Sequence, residues 1–192
     1  MNITSISIGG IAMKKILLFI LICLFGFGYA DAETPKTFTL LTMNCEVVRS
    51  NSEREKRNDA FKNLCLAMGT DMIDYEQGRR AAINYVTDNR INAMNGLGLN
   101  DAIEIGKKVD ADYIVLVNVL GNAYAPGGMF HTSIKYNATA DLRIIDVKEG
   151  KEILDNSANV QGKREALLPL AINLVESVKA DIKSKSLTFP KK

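Results

Sequence analysis

Few residues in this sequence carry the side chains that usually perform catalysis or bind metals. His131 is the single histidine among 192 residues, so neither a multi-histidine metal site nor a conventional hydrolase centre forms around it without unusual ligands. Cys45 and Cys65 lack the C-x-x-C spacing of redox and zinc sites. The chain has many carboxylates, but the sequence does not place any two of them face to face as a glycosidase site requires. We therefore predict no catalytic residue, no metal site and no cofactor.

One segment has residues suited to contact with a partner. Tyr124, Met129, Phe130 and His131 lie on a Gly-rich connection between two predicted strands. The connection is longer than the two to five residues or so of a minimal hairpin, and aromatic side chains on such a loop are typical of protein contacts. The alternative is that Tyr124 and Phe130 tuck against the sheet edge and close the loop. His131 is either an ordinary loop histidine or a pH sensor.

The N-terminal region has the pattern of a cleavable export signal. Met13-Lys14-Lys15 is followed by ten apolar residues, Ile16 to Phe25. Ala30 and Ala32 form an A-x-A site, so cleavage is expected before Glu33. The apolar run is too short for a spanning helix of about 20 residues. We predict a signal peptide within residues 1–32, with Met13 as a candidate start, and no transmembrane segment in the mature chain.

The composition of the remaining chain excludes a general nucleic-acid binder. Residues 1–32 contain two lysines and one aspartate, which leaves 22 basic and 21 acidic residues. Such a balance lacks the basic stripe of a nucleic-acid-binding surface. The length suits a single domain, predicted over residues 33–183, with a flexible tail over residues 184–192.

The predicted export raises the question of a disulfide between Cys45 and Cys65, because exported proteins commonly contain such bonds. The pattern places Cys45 about 10 Å below the end of a strand. Cys65 lies about 18 Å below the start of the following helix. A disulfide requires Cα atoms within about 7 Å, so we expect two buried thiols, with pairing as the alternative.

Hydrophobic periodicity predicts the elements in the first half of the mature chain. Alternation predicts a strand, and apolar residues spaced three and four apart predict helices. The charged run Glu53–Arg57 is expected to be solvated. The predicted elements are strand 38–48, a helix from the Ser50–Glu53 capping box to Met68 with Gly69 as its stop, strand 71–75, helix 76–86, and a helix capped by Asn100 or Asp101.

The pattern in the second half of the mature chain predicts an antiparallel meander of three strands followed by a helix. The segment 113–120 is apolar on both faces, as in a central strand. In the segment 133–147, apolar and polar residues alternate over a dozen positions, which indicates a strand with one buried face and one solvent-exposed face. Gly150 marks a hairpin, 152–161 is a more polar strand predicted at the sheet edge, and 166–182 is the last helix. We predict an α/β (α+β) sandwich with about five strands in a mixed sheet, in the order β-α-β-α-α-β-β-β-α.

Two stretches resemble a known family of cell-envelope domains. These are Val109-Asp110-Ala111-Asp112-Tyr113-Ile114-Val115, and Leu142 to Leu154 with the sequence LRIIDVKEGKEIL. They are similar to the periplasmic domain family of the curli secretion channel subunit, which includes the penicillin-binding-protein activator lipoproteins and the TolB N-terminal domain. The resemblance implies a domain that binds other envelope components without catalysis.

The chain departs from that family at two points. The lipoproteins carry a cysteine at the cleavage site, where this chain has Glu33, so we expect no lipid anchor. The channel members carry long membrane hairpins, for which the connections here are too short.

The predicted function is an exported, periplasmic or secreted, non-enzymatic protein that binds or assembles with another envelope protein. Strand 152–161 is the predicted surface for self-association. The alternative is a protein that binds a small ligand or a cell-wall fragment, or a hydrolase acting on one, which would need a concave polar pocket.

Overall fold

The computed structural model describes residues 33–43, 50–92, 96–124, 135–162 and 167–190. All of these except Glu33 lie in the unit Thr34–Lys192, one of two into which the chain divides. The elements of this unit follow the predicted order. They are β1 (Lys36–Met43), α1 (Asn51–Met68), β2 (Asp71–Met72), α2 (Tyr75–Asp88), α3 (Leu99–Lys108), β3 (Tyr113–Tyr124), β4 (Lys135–Asp146), β5 (Lys151–Gly162) and α4 (Leu167–Lys185).

The strands form one mixed sheet in the spatial order β2-β1-β3-β4-β5. β1 is parallel to both β2 and β3, and Phe38 lies opposite Ile114. β3, β4 and β5 form the predicted antiparallel meander, in which Leu142 lies between Val117 and Asn156. Gly150 has a φ of +65° in the β4–β5 turn, a conformation that glycine adopts without steric cost. The predicted α+β sandwich with a five-stranded sheet is confirmed.

Helices cover the sheet on both faces, and each face has its own hydrophobic core. On one face β3, β4 and β5 pack against α1 and α4 through residues that include Val117 and Leu142. On the other face Phe38, Leu40 and Leu116 pack against α2 and α3. Full burial of a large apolar side chain contributes about 1.5–3 kcal/mol, so β3, which is buried on both faces from Tyr113 to Val119, is the centre of the fold.

The ends of α1 are those that the sequence predicts. The Oγ atom of Ser50 accepts a hydrogen bond from the Glu53 backbone N–H at 3.1 Å, and the Glu53 carboxylate accepts from the Ser50 N–H at 3.1 Å. Gly69 ends the helix in the left-handed region, with φ of +70°. The preceding strand was predicted to reach Val48, but residues 44–49 lie outside the described part of the chain.

Arg57 differs from the solvated position predicted for it. Residues 54–56 are exposed, but Arg57 is only 6% exposed. Its guanidinium carbon lies 3.6 Å from the centre of the Tyr75 ring, and its Nε and Nη2 atoms donate to the side-chain oxygen of Asn58. The electron-rich face of Tyr75 stabilises the cation, which explains why the last residue of the charged run turns inward.

Two glycines let helices approach the sheet closely. A Cβ atom at Gly78 in α2 would lie 1.9 Å from Cε2 of Phe38. A Cβ atom at Gly106 in α3 would lie 2.7 Å from side-chain atoms of both Ile114 and Val147. The missing side chains therefore set how closely α2 and α3 pack on this face.

The starts of α2 and α3 correct two predicted boundaries. The β2 strand ends at Met72 rather than at residue 75, because Asp74 caps α2 by accepting from the Gln77 N–H at 2.8 Å. The N-cap of α3 is Gly98, not Asn100 or Asp101. Asp101 instead occupies the third helical position, and its carboxylate accepts from the Gly98 N–H at 3.2 Å, as the acidic member of a capping box does.

The segment after α4 packs on the core, which differs from the tail predicted over residues 184–192. The helix continues to Lys185, and Phe189 is only 5% exposed. Its ring meets the Tyr113 ring edge-on at 5.4 Å, and the Tyr113 hydroxyl donates to the Pro190 carbonyl oxygen. Burial of an aromatic ring and pairing of a buried hydroxyl both favour this arrangement. Residues 191 and 192 lie outside the described part.

Candidate functional site at the free edge and open face of the sheet

Most of the residues singled out in the sequence lie outside the described part of the chain. This holds for Met129, Phe130 and His131 of the predicted contact loop, and for Ala30 and Ala32 of the predicted cleavage site. It also holds for Cys45, so pairing of Cys45 with Cys65 stays a question for experiment. The backbone of Tyr124 ends β3, and Glu33 is the first described residue.

β5 forms one edge of the sheet over its whole length. It runs antiparallel to β4 from Lys151 to Gly162 and has no other strand partner among the described residues. The sequence predicted an edge strand over residues 152–161, and this position is confirmed. An edge strand presents backbone N–H and C=O groups that can pair with another chain.

The two halves of β5 differ in the features that normally protect such an edge. The first half contains Lys151, Glu152 and Asp155, and a bulge leaves Ile153 without a partner between Glu152 and Leu154. Charges and bulges both discourage pairing with a further strand. The second half, Asn156–Gly162, has the sequence NSANVQG, with neither charge nor proline. We call this second half the free edge.

One face of the sheet beside the free edge is not covered by α2 and α3. It consists of cross-strand rows whose registers align Asn122, Asn137 and Gln161 in one row, and Leu120, Thr139 and Asn159 in the next. These six residues line a shallow groove of about 500 Å³. All but Leu120 are exposed. We call this surface the amide face.

Asn118 closes the amide face where it meets the covered part of the sheet. It is 3% exposed, and its side-chain oxygen accepts from the Thr42 hydroxyl at 2.6 Å and from the Leu97 N–H at 3.1 Å. Its Nδ2 group donates to the Leu97 carbonyl oxygen at 3.2 Å and to the Asp141 carboxylate at 3.1 Å. Asn118 therefore fixes the segment before α3 to the centre of the sheet.

Ion-paired groups lie on this face next to Asn118, at one end of the amide rows. Arg143 lies with its Nε atom 3.3 Å from the Asp141 carboxylate and its Nη1 atom 3.5 Å from Glu152. The Nε atom is buried and makes no hydrogen bond, so the contact with Asp141 is electrostatic without hydrogen-bond geometry. Partly exposed pairs of this kind typically contribute under about 1 kcal/mol. The two uncharged amide rows therefore lie between these ion pairs and Lys135 at the start of β4.

The described residues offer little that is suited to covalent or metal chemistry. Among them, groups of three or more His, Cys, Asp or Glu side chains placed to hold a metal ion are absent. Cys65 is 1% exposed, and burial raises the pKa of its thiol from 9.0 to about 12. A thiol that stays protonated is a poor nucleophile.

The contribution of Cys65 to stability is expected to fall at alkaline pH. Because burial raises the pKa of the folded thiol to about 12, the unfolded thiol ionises first, and this loss begins as the pH passes about 9. The stability advantage of the wild type over Cys65→Ala should be constant below about pH 8 and about 1.4 kcal/mol smaller at pH 10. Urea unfolding of both proteins under reducing conditions measures it. An unchanged difference between pH 7 and pH 10 would contradict the burial of the thiol.

The sequence revealed only part of this surface. The alternation in β4 predicts that Asn137, Thr139, Asp141 and Arg143 share the wet face. The alignment of these residues with Asn122 and Gln161 depends on strand register, for which the sequence held no signal. The role of Asn118 was missed because it lies inside an otherwise apolar strand. A lone polar residue between apolar neighbours was the available signal, because a buried polar side chain needs hydrogen-bond partners.

Within the described part of the chain, a helix with the length and apolar character needed to cross a membrane is absent.

Comparison with known proteins gives structural matches of low sequence identity. No family model and no curated protein matches this sequence. The solved structure of the hypothetical protein CT253 from Chlamydia trachomatis is 10% identical, covers 79% of this chain and 96% of its own, and has a TM-score of 0.44. The LpoB C-terminal domain from Salmonella enterica is 15% identical over 76% of this chain and 93% of its own, with a TM-score of 0.38.

The PelC dodecamer from Paraburkholderia phytofirmans is a third similar structure. It is 14% identical, covers 77% of this chain and 85% of its own, and has a TM-score of 0.40. LpoB is one of the penicillin-binding-protein activator lipoproteins named in the resemblance.

Proposed function

We propose that this protein is an exported, non-enzymatic protein of the cell envelope that binds another protein by strand addition at the free edge, Asn156–Gly162. The observation that carries this proposal is the contrast within β5. Its first half has charges and a bulge, whereas its second half has neither. Natural proteins normally protect long edge strands, so an unprotected segment next to a protected one marks a place where pairing is useful.

Strand addition is a suitable source of affinity at this edge. An incoming strand forms backbone hydrogen bonds with the outer side of β5, and each contributes about 0.5–1.5 kcal/mol net. Partner side chains would then alternate between the two faces of the extended sheet, where they select the partner. On the core side, the partly buried Ala158 and Val160 supply apolar contacts.

The compartment and the absence of catalysis are parts of the same proposal. Export rests on the pattern from Met13 to Ala32, with an unanchored product because Glu33 follows the cleavage site. Non-enzymatic action is supported by the single histidine of the chain and by the raised pKa of the Cys65 thiol. The predicted contact loop, which includes Met129 and Phe130, is a second proposed contributor to partner binding.

Site-specific cross-linking in the native envelope tests the proposal. A photoreactive residue placed at Ser157 lies on the free edge, and one at Ser177 lies on the exposed side of α4. We expect a discrete adduct from position 157 and none from position 177. An adduct of twice the monomer mass would identify a second copy of this chain as the partner, and another mass a different envelope protein.

Lysine substitutions provide the matched control for that experiment. With the photoreactive residue kept at 157, the double variant Asn159→Lys, Gln161→Lys places two charges along the free edge and is expected to abolish the adduct. Asn173→Lys, Ser177→Lys adds the same charge at exposed positions of α4 and should leave it intact. No adduct at position 157, or one that survives the edge substitutions, would show that β5 is not the binding surface.

A further inference from the structure

The amide face departs from the usual composition of a wet sheet surface. Exposed strand positions normally hold β-branched or charged residues, and asparagine is depleted in strands. Here Asn122, Asn137 and Gln161 form one complete row across three strands. In a chain with 24% charged residues, both rows of the amide face are uncharged. Residue types that are unfavourable for the secondary structure in which they lie are expected at functional surfaces.

We propose that the amide face binds an uncharged, N-acetylated glycan strand. The inference goes beyond the proposed function, because it concerns side chains on the open face of the sheet, Asn159 and Gln161 of β5 among them, rather than the backbone groups of the edge. It also assigns a different class of partner.

Recognition on this face must come from side chains. β4 lies between β3 and β5 and is paired with both along its length, so its backbone groups are already used within the sheet. An extended peptide gains most from unpaired backbone groups, which lie at the edge. The face instead offers side-chain amides at a cross-strand spacing of about 4.8 Å and a same-strand spacing of about 7 Å.

The chemistry of these side chains matches that of an acetamido sugar. Each Asn or Gln amide has two N–H donors and one carbonyl acceptor, which complement the C=O and N–H of an N-acetyl group and the hydroxyls of the ring. The Thr139 hydroxyl donates to the Asn159 side-chain oxygen at 2.7 Å. This bond orients the Asn159 amide with its Nδ2 donors left for a ligand. Leu120 supplies an apolar surface for the C–H groups of a sugar ring.

The charge pattern favours a neutral polymer over an ionic one. On β4 the amide face is bounded by Lys135 at one end and Asp141 at the other, one positive and one negative residue. Asp141 is already engaged by Asn118 and Arg143. A polyanion gains affinity from several cationic contacts, and the described rows provide none. Hydrogen bonding to neutral groups remains as the basis of recognition.

Calorimetric titration of the full protein with hexa-N-acetylchitohexaose tests the inference. We expect saturable binding. It should weaken by roughly ten-fold in the double variant Asn122→Ala, Asn137→Ala, because two amide hydrogen-bond partners are lost. Both side chains are exposed and lie on β3 and β4 rather than on β5. The control Asn84→Ala, Asn173→Ala removes exposed amides from α2 and α4 and should bind as the wild type does.

A glucose hexamer of the same β-1,4 linkage isolates the acetamido contribution, and it is expected to bind roughly ten-fold more weakly. The inference is overturned if the chitin hexamer does not bind, if both hexamers bind equally, or if the Asn122→Ala, Asn137→Ala variant keeps its affinity. Loss of an extended peptide's binding in that variant, without hexamer binding, would assign the face to protein instead. Asn159 and Gln161 belong to both surfaces, but the cross-link reports a protein adduct by its mass, whereas the titration of Asn122→Ala, Asn137→Ala reports hexamer binding. Failure of one proposal is therefore distinguishable from failure of the other.

Discussion

Replacement of Gly78 with alanine is expected to lower the free energy of unfolding by about 2 kcal/mol. The added Cβ atom would lie 1.9 Å from Cε2 and 2.3 Å from Cδ2 of Phe38. The Phe38 ring is completely buried between β1 and α2, so it cannot move aside without a shift of the helix. Overpacking of a filled core typically costs 1–3 kcal/mol or more, which exceeds the gain of about 1 kcal/mol in helix propensity.

Urea unfolding measures this effect, and Asn84→Ala provides the control. Asn84 lies in the same helix but is exposed, so its replacement should raise or preserve stability through propensity alone. If Gly78→Ala were as stable as the wild type, α2 would not lie against Phe38 as described. The packing of one face of the sheet would then need revision.

Replacement of Asn118 with alanine is expected to cost about 3 kcal/mol. The side chain is buried and makes four hydrogen bonds, to Thr42, to the N–H and C=O of Leu97, and to Asp141. Its removal leaves the N–H and C=O of the buried Leu97 without this partner, and an unsatisfied buried group costs about 1–3 kcal/mol. Hydrogen exchange should also show faster exchange of the Leu97 amide, because that N–H loses its acceptor.

Asn137→Ala is the matched control for this prediction. Asn137 lies on β4 with an exposed side chain, and an exposed substitution of this kind typically changes stability by less than about 0.5 kcal/mol. A loss below about 1 kcal/mol for Asn118→Ala would indicate that water replaces the amide. In that case Asn118 would not fix the segment before α3.

Much of the fold was predictable because local signals agreed with the tertiary structure. The capping box of Ser50 and Glu53, the stop at Gly69 and the turn at Gly150 each act within a few residues, and each appears where the sequence predicts it. The long alternation in β4 also identified its buried face correctly. In this chain, patterns that depend on the nearest neighbours along the sequence were sufficient for element order and fold class.

The remaining features depend on contacts between residues far apart in the sequence. Arg57 is buried because Tyr75, on another helix, accepts the cation. Phe189 is buried because the Tyr113 ring lies at the end of the sheet. The amide face exists only once the registers of β3, β4 and β5 are set. The local periodicity of a sequence gives no information about contacts between distant residues. The candidate site was therefore the part least accessible to prediction.

The contacts at the start of β3 also bear on when the chain can complete its fold. Lys36 donates its backbone N–H to Asp112, 76 residues later, and Tyr113 donates to Pro190, 77 residues later. Contacts of such high sequence separation form slowly, because a long loop must close before they are gained. The first strand and the last described residues meet at the same end of the sheet. A growing chain therefore lacks its final packing until its C-terminal end is available, which suits a protein predicted to cross a membrane before it folds.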